Sequence, residues 1–174
     1  VGLLYFLGEK MKCNFAEEHI LKTNFAIGGV LGHQGLIVHI MDGTLNGTDS
    51  WFHNPHSQAS SHFGVGKNGR LIQWVDTDNK AWTEASGNPY WVSIECEGVG
   101  GDSLTAEQIT TIGKVYEWLE SQYHFGFANA SSVTGKGLGH HSMGGANWGG
   151  HYFCPGEKVI AQKPSILAKA LLIR

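Results

Sequence analysis

At 174 residues the chain has the length of one ordinary domain, and its 41% hydrophobic and 16% charged residues exclude both a disordered polymer and a minidomain that needs disulfides to fold. A net charge of −3 and a pI near 6.4 exclude the basic surface that nucleic-acid binding normally requires. No run approaches the ~20 apolar residues of a membrane-spanning helix, and the opening Val1-Gly-Leu-Leu-Tyr-Phe-Leu7 lacks the basic flank and small-residue cleavage site of a signal peptide, so no secretion signal is expected.

In chain order, Asn14-Phe-Ala-Glu17 has the form of a capping box and predicts a short helix over 16–21. The apolar run Gly35-Leu-Ile-Val-His-Ile-Met41 predicts a strand buried on both faces. His39 interrupts it, either as a satisfied core histidine or as a ligand. Residues 42–60 carry Gly, Asn, Asp and Pro and are expected to form a long loop, in which His53 and His56 are solvated. Between Ser61 and Val75, Asn68-Gly69 flanked by alternating apolar residues predicts a hairpin, with His62 near its start. Residues 76–89 read as loop with Trp82 in the middle.

Tyr90 to Gly98 alternates as a strand that sets Val92, Ile94 and Cys96 on one face and Trp91, Ser93, Glu95 and Glu97 on the other. Those carboxylates belong either to a solvated outer face or to a site. Thr105-Ala-Glu-Gln108 is a second capping box, followed by Ile109, Ile112, Val115, Tyr116 and Leu119 at helical spacing up to about Ser121. Pro164 with 165–173 predicts a C-terminal helix. The order of elements predicts one mixed α/β domain over 1–174, with helices covering a central, mixed sheet.

Residues 137–156 gather His140, His141, His151 and Cys154 among many glycines. Glycine weakens regular elements, so this segment is expected to be neither core helix nor core strand. His and Cys are the side chains that bind zinc best, so a metal loop follows as the expectation, with Cys13 and Cys96 left as buried thiols or a bridge. A catalytic zinc uses three protein ligands and leaves a fourth position open. One His from the buried strand, one of the His140-His141 pair and Cys154 make such a set. No His-Glu-x-x-His helix is present.

Ile37-Val-His-Ile40, Ser60-Ser-His-Phe63, Gly69-Arg-Leu-Ile-Gln73, Lys80-Ala-Trp82, Ser93-Ile-Glu95, Thr105-Ala-Glu-Gln108, a Gly-His segment and Cys154-Pro-Gly156 occur in the order seen in zinc-dependent N-acetylmuramoyl-L-alanine amidases. The chain resembles this family, shared by phage endolysins, bacterial autolysins and peptidoglycan recognition proteins, over roughly residues 35–160. The Gly-Gly-rich approach to His151-Tyr-Phe-Cys-Pro-Gly156 is most like the lysins of phages of actinobacteria.

The resemblance implies one Zn²⁺ per chain on His39, His141 and Cys154; His141 is preferred to His140 because the family places Ser or Arg after its ligand and Ser142 follows His141. It implies Glu95 as general base, with Glu97 as fallback, since Ser61 stands where some members carry a catalytic Tyr. It places an oxyanion-stabilising residue two positions before Cys154, where Tyr152 stands, and His151 beside it is the chosen catalytic partner. Thr83 replaces the usual His after Ala-Trp. Substrate contacts are expected at His62, Trp82 and Tyr152, and Trp148 is expected to anchor its loop. The implied activity is hydrolysis of the amide joining N-acetylmuramic acid to L-alanine of the stem peptide, by an endolysin acting on the cell wall outside the cytoplasmic membrane after holin-type release or behind an upstream signal. The implied partner is bacterial peptidoglycan, met by a monomer without nucleic acid. A recognition module of the same fold that binds the wall without cutting it is the alternative.

Overall fold

The structure, a computed structural model, describes residues 12–174; the opening apolar heptapeptide lies outside them. Six strands form one mixed sheet: β1 (Glu17–Glu18), β3 (Gly35–Ile40), β4 (Phe63–Val65), β5 (Leu71–Gln73), β7 (Trp91–Cys96) and β8 (Gly137–His140), in the spatial order β1-β5-β4-β7-β3-β8. Only β4 and β5 pair antiparallel, as the hairpin requires; β3 lies parallel between β7 and β8. A small antiparallel pair, β2 (Phe25–Ala26) with β6 (Lys80–Ala81), stands apart. The mixed sheet covered by helices is the architecture expected.

Strand alternation decides where the core goes. Leu36, Val38 and Ile40 of β3 and Val92, Ile94 and Cys96 of β7 point to one face, where α2 (Ala106–Tyr123) brings Ile112, Val115, Tyr116 and Leu119 and α3 (Glu157–Ile173) brings Val159, Ile166 and Ala170. Each Val, Leu and Ile among them contributes roughly 1.5–3 kcal/mol on burial, so this face carries the stability. The capping box on α2 is made in full: Thr105 Oγ1 accepts from the Gln108 backbone N–H at 3.1 Å, and Gln108 Oε1 accepts from the Thr105 N–H at 3.0 Å.

The opposite face holds Ile37, His39, Trp91, Ser93 and Glu95. There Ile37 and Trp91 pack with Ala130 and Trp148, while Leu45 and Phe52 pack with Ile72 and Trp74. The face without the long helices is therefore the one that can hold a site.

Several expectations are corrected. Residues 16–21 are no helix: Glu17–Glu18 pair with Ile72 and Gln73 as a sheet edge, and Glu17 binds Arg70, tertiary contacts that override a local cap. The 42–60 loop contains α1 (Leu45–His53), capped by Thr44 Oγ1 on the Gly47 N–H. Its few apolar residues and its Gly, Thr and Ser concealed it. The 76–89 stretch includes β6 and a 3-10 turn at Ala85–Gly87.

Residues 137–140 do form a buried strand. An alanine Cβ at Gly35 would stand 1.8 Å from Gly137 O, and one at Gly137 would stand 2.1 Å from Ala128 O, so glycine here serves close approach of backbones rather than looseness. The helix α3 begins at Glu157 and runs through Pro164, held by side chains buried on both sides of the proline.

Candidate metal centre

The site begins at the parallel register of β3 and β7, which sets His39 beside Glu95 on the helix-free face. His39 is 1% exposed. On its other side β8 pairs Val38 with His140, so His141, the first residue beyond the strand, arrives against the His39 ring at a centroid distance of 4.4 Å. A 3-10 segment (His141–Trp148) then folds back, and the Trp148 carbonyl accepts His141 Nε2–H at 3.0 Å. That bond fixes the tautomer and leaves the Nδ1 lone pair free to ligate.

Cys154 is drawn in by the Ser142 N–H, which donates to its carbonyl at 2.8 Å. Its Sγ lies 3.9 Å from His39 Nδ1, and the ligand atoms of His39, His141 and Cys154 all lie within 4.8 Å of one another. Tetrahedral zinc with N and S ligands holds its donors about 3.4–3.6 Å apart, so a small closure fits a cation.

The chemistry of the donors agrees. Burial, with neighbouring imidazoles adding, holds His39 well below its ordinary pKa and, despite the Trp148 bond, His141 at about 4, so both rings are neutral and able to ligate at pH 7. Burial first, then the Glu95 charge, pushes the Cys154 thiol up to about 12. Only a cation among these groups favours the thiolate. His39 Nε2, both oxygens of Glu84 and Glu95 Oε2 are buried and have no hydrogen-bond partner among the described residues. Interiors rarely leave such groups unsatisfied, which suits a centre built around a positive ion.

A model of the N-acetylmuramoyl-L-alanine amidase family matches residues 31–157. The chain belongs to that family. A curated relative, N-acetylmuramoyl-L-alanine amidase A of Achromobacter lyticus, is 36% identical over 69 residues, a stretch that spans 39% of this chain and 39% of that protein. Among solved structures, the Staphylococcus aureus hydrolase AmiA, in complex with its ligand, aligns with a TM-score of 0.71 at 20% identity over 93% of this chain and 85% of that one. A mutant endolysin from Bacillus subtilis aligns with a TM-score of 0.65 at 18% identity over 89% and 97%. Both share the fold.

Within this amidase-family chain the other predicted residues fall in distinct places. Glu95 reaches the metal side, with Oε1 4.0 Å from His39 Nδ1 and its side chain 14% exposed. Burial, then the charge of Asp42, raises its pKa to about 8. It lines an open cavity of about 350 Å³ with Asp42, Thr44, Thr48 and Trp51. Glu97 turns away, accepting the Lys67 N–H at 2.8 Å. His140 projects to the helix-covered face, where its Nδ1 meets the buried Lys163 Nζ at 3.1 Å.

His151 stacks on His141, ring centroids 4.6 Å apart, at the exposed rim, and Tyr152 beside it is 60% exposed. Trp82 is 37% exposed next to β6, while Trp148 is buried as a loop anchor should be. His62 is not brought to the site. It is buried, with Nε2–H donating to Asn79 O at 3.1 Å and Nδ1 accepting the Ser93 N–H at 3.1 Å, so neither nitrogen is left for substrate.

One residue of the centre escaped the sequence reading. Glu84 is 1% exposed and its Oε2 lies 3.8 Å from His39 Nε2, on the side of the ring away from Cys154. Its only signal was the departure at Thr83 from the family's Ala-Trp-His pattern.

Proposed function

We propose that the chain is a zinc-dependent peptidoglycan hydrolase that cleaves the amide between the lactyl group of N-acetylmuramic acid and L-alanine of the stem peptide. One observation carries this reading: neutral His39 and His141 converge with Cys154 beside Glu95, a carboxyl that faces an open cavity. Zinc, when bound by those three residues, supplies Lewis-acid polarisation of a carbonyl and activation of water.

The protein's own groups do the rest. Glu95, whose pKa burial raises to about 8 and a cation beside it would lower, has an exposed edge and, once ionised, takes the proton of the attacking water and passes it to the leaving amine nitrogen. The positions of His151 and Tyr152 at the rim suit them to donate to the oxygen that gains charge, His151 being the residue chosen. Trp82 and Tyr152 offer exposed rings for the apolar faces of glycan or peptide. Half-buried Cys154, as a thiolate ligand, completes the donor set.

The finer reading is a phage or prophage endolysin that works as a monomer on the wall, outside the cytoplasmic membrane. The endolysin likeness in fold and the glycine-rich approach to Cys154 support it. No helix of the described residues is long and apolar enough to cross a membrane. The non-cutting recognition module is disfavoured because no ligand is missing and Glu95 stands ready beside them.

The test is turbidity loss of purified cell walls, with and without a chelator, joined to an assay for new L-alanine amines. Zinc-reversible loss with one amine per cut is expected. Binding to walls with no amine released would favour the recognition module and end the enzyme reading.

A further inference from the structure

The geometry points to Glu84 as the positioning residue of the metal centre: its buried carboxyl faces Nε2 of His39 and, on closing a few tenths of an ångström when a metal is held, accepts that N–H and keeps the ring with Nδ1 turned to Cys154 and His141. The inference rests on the reading of those three residues as a metal site.

The two atoms concerned face each other at 3.8 Å, Glu84 and His39 are each 1% exposed, and neither atom has another hydrogen-bond partner among the described residues. The adjacent Thr83 hydroxyl is shared, donating to the Ser60 carbonyl at 2.7 Å and lying 2.8 Å from Ser93 Oγ, so its help to the Glu84 carboxyl only partly offsets burial. Burial, with the Glu95 charge adding, raises the Glu84 pKa well above the ordinary carboxyl range, so its charge is costly there until a positive partner arrives.

The backbone nevertheless holds Glu84 firmly in place. Asn88 Oδ1 accepts both the Thr83 N–H at 3.0 Å and the Glu84 N–H at 2.7 Å. Ala85 takes a left-handed φ of 48°, a strain that surrounding structure must impose. Gly87 leaves the space that Glu84 occupies, since a Cβ there would stand 2.8 Å from Glu84 Cγ. A costly group held this tightly returns little to the fold by hydrogen bonding, and the basic group it faces is the outer nitrogen of a ligand.

A ligating histidine that donates its second N–H to a carboxylate has its tautomer and orientation fixed and is the more basic ligand for it. His141 already has such a partner in the Trp148 carbonyl. Glu84 gives His39 the same service. It is absent from the cavity that Glu95 lines, so it acts through His39 and not on substrate.

The experiment measures zinc content, zinc Kd by chelator competition, the visible spectrum of the Co²⁺-substituted protein and the Tm of the metal-free protein, for wild type, Glu84→Gln and the volume-matched Glu84→Met. Expected are one zinc in wild type, a Kd weakened about 10–100-fold in Glu84→Met with a shifted Co²⁺ band, and a metal-free Tm that is unchanged or higher. Glu84→Gln keeps an acceptor and recovers most of the affinity. A wild type without zinc overturns the metal-site reading and this inference together. Zinc bound normally by Glu84→Met overturns the role of Glu84 alone, and so does a fall in metal-free Tm that matches the loss of zinc, because the residue is then merely structural.

Discussion

Substituting Gly35 by alanine tests whether backbone contact between β3 and β8 sets the geometry of the centre. The added Cβ would stand 1.8 Å from Gly137 O, where real Cβ atoms stay beyond 3.0 Å, and φ at Gly35 is 151°, a value that L side chains rarely adopt. The two strands must then separate by more than an ångström at that rung. The same pairing runs on to Val38 and His140, immediately before His39 and His141.

Overpacking of this kind costs about 1–3 kcal/mol, and each weakened backbone hydrogen bond costs about 0.5–1.5 kcal/mol more. Loss of 2–4 kcal/mol is expected. Metal–ligand distances tolerate only about 0.2 Å, so zinc affinity should fall at least tenfold even in molecules that remain folded. Urea unfolding of the metal-free protein and chelator competition measure the two effects. Gly139→Ala is the control, since its Cβ meets the flexible tips of Ile37 and Met143 and should cost about 1 kcal/mol. A Gly35→Ala protein with wild-type stability and affinity would refute the argument.

Three further outcomes follow from the site. Glu95→Gln should keep one zinc and lose at least 100-fold in turnover on cell walls; a variant that hydrolyses normally would remove Glu95 from the mechanism. His141→Ala should abolish zinc binding, whereas His140→Ala should bind one zinc yet lose about 1–3 kcal/mol, because it strips an acceptor from buried Lys163; metal analysis of the two variants decides. Burial lowers the His62 pKa from 6.5 to about 4, so the unfolded chain takes up the proton first. His62 therefore contributes fully above pH 6.5, and about 2–3 kcal/mol of stability is lost as pH falls from 6.5 towards 4. Urea midpoints at pH 7.5 and 4.5 should show a smaller drop in His62→Gln than in wild type, and equal drops would contradict the assignment.

The sequence exposed those parts of the site whose chemistry is local. His39 in an apolar strand, Glu95 on an alternating one and Cys154 before Pro-Gly each stood out by residue type against pattern, and the strand faces followed from alternation. His141 was separable from His140 only through Ser142; in three dimensions the two diverge because one ends a strand and the other starts a turn. What remained illegible was made by tertiary contact. The 16–21 segment carries a helix cap yet becomes a sheet edge, because pairing to β5 outweighs one local hydrogen bond. The helix at 45–53 has too few apolar positions to show a stripe, and the glycines at 35 and 137 looked like flexibility when they are contact points. His62 occupies a motif position, yet both nitrogens are consumed by the core. Beyond the departure at neighbouring Thr83, Glu84 had no pattern, since a buried acid beside a ligand is visible only when the two are brought together from 45 positions apart, Glu84 against His39.

The contact between His39 and Cys154 spans 115 positions of the chain. On a ribosome the first ligand emerges long before the last, and any shorter nascent chain has at most two of the three. A metal joining them closes a loop whose covalent counterpart would remove roughly 4–5 kcal/mol of chain entropy from the unfolded state. The three-residue centre is complete only when Cys154 has joined the sheet that carries His39.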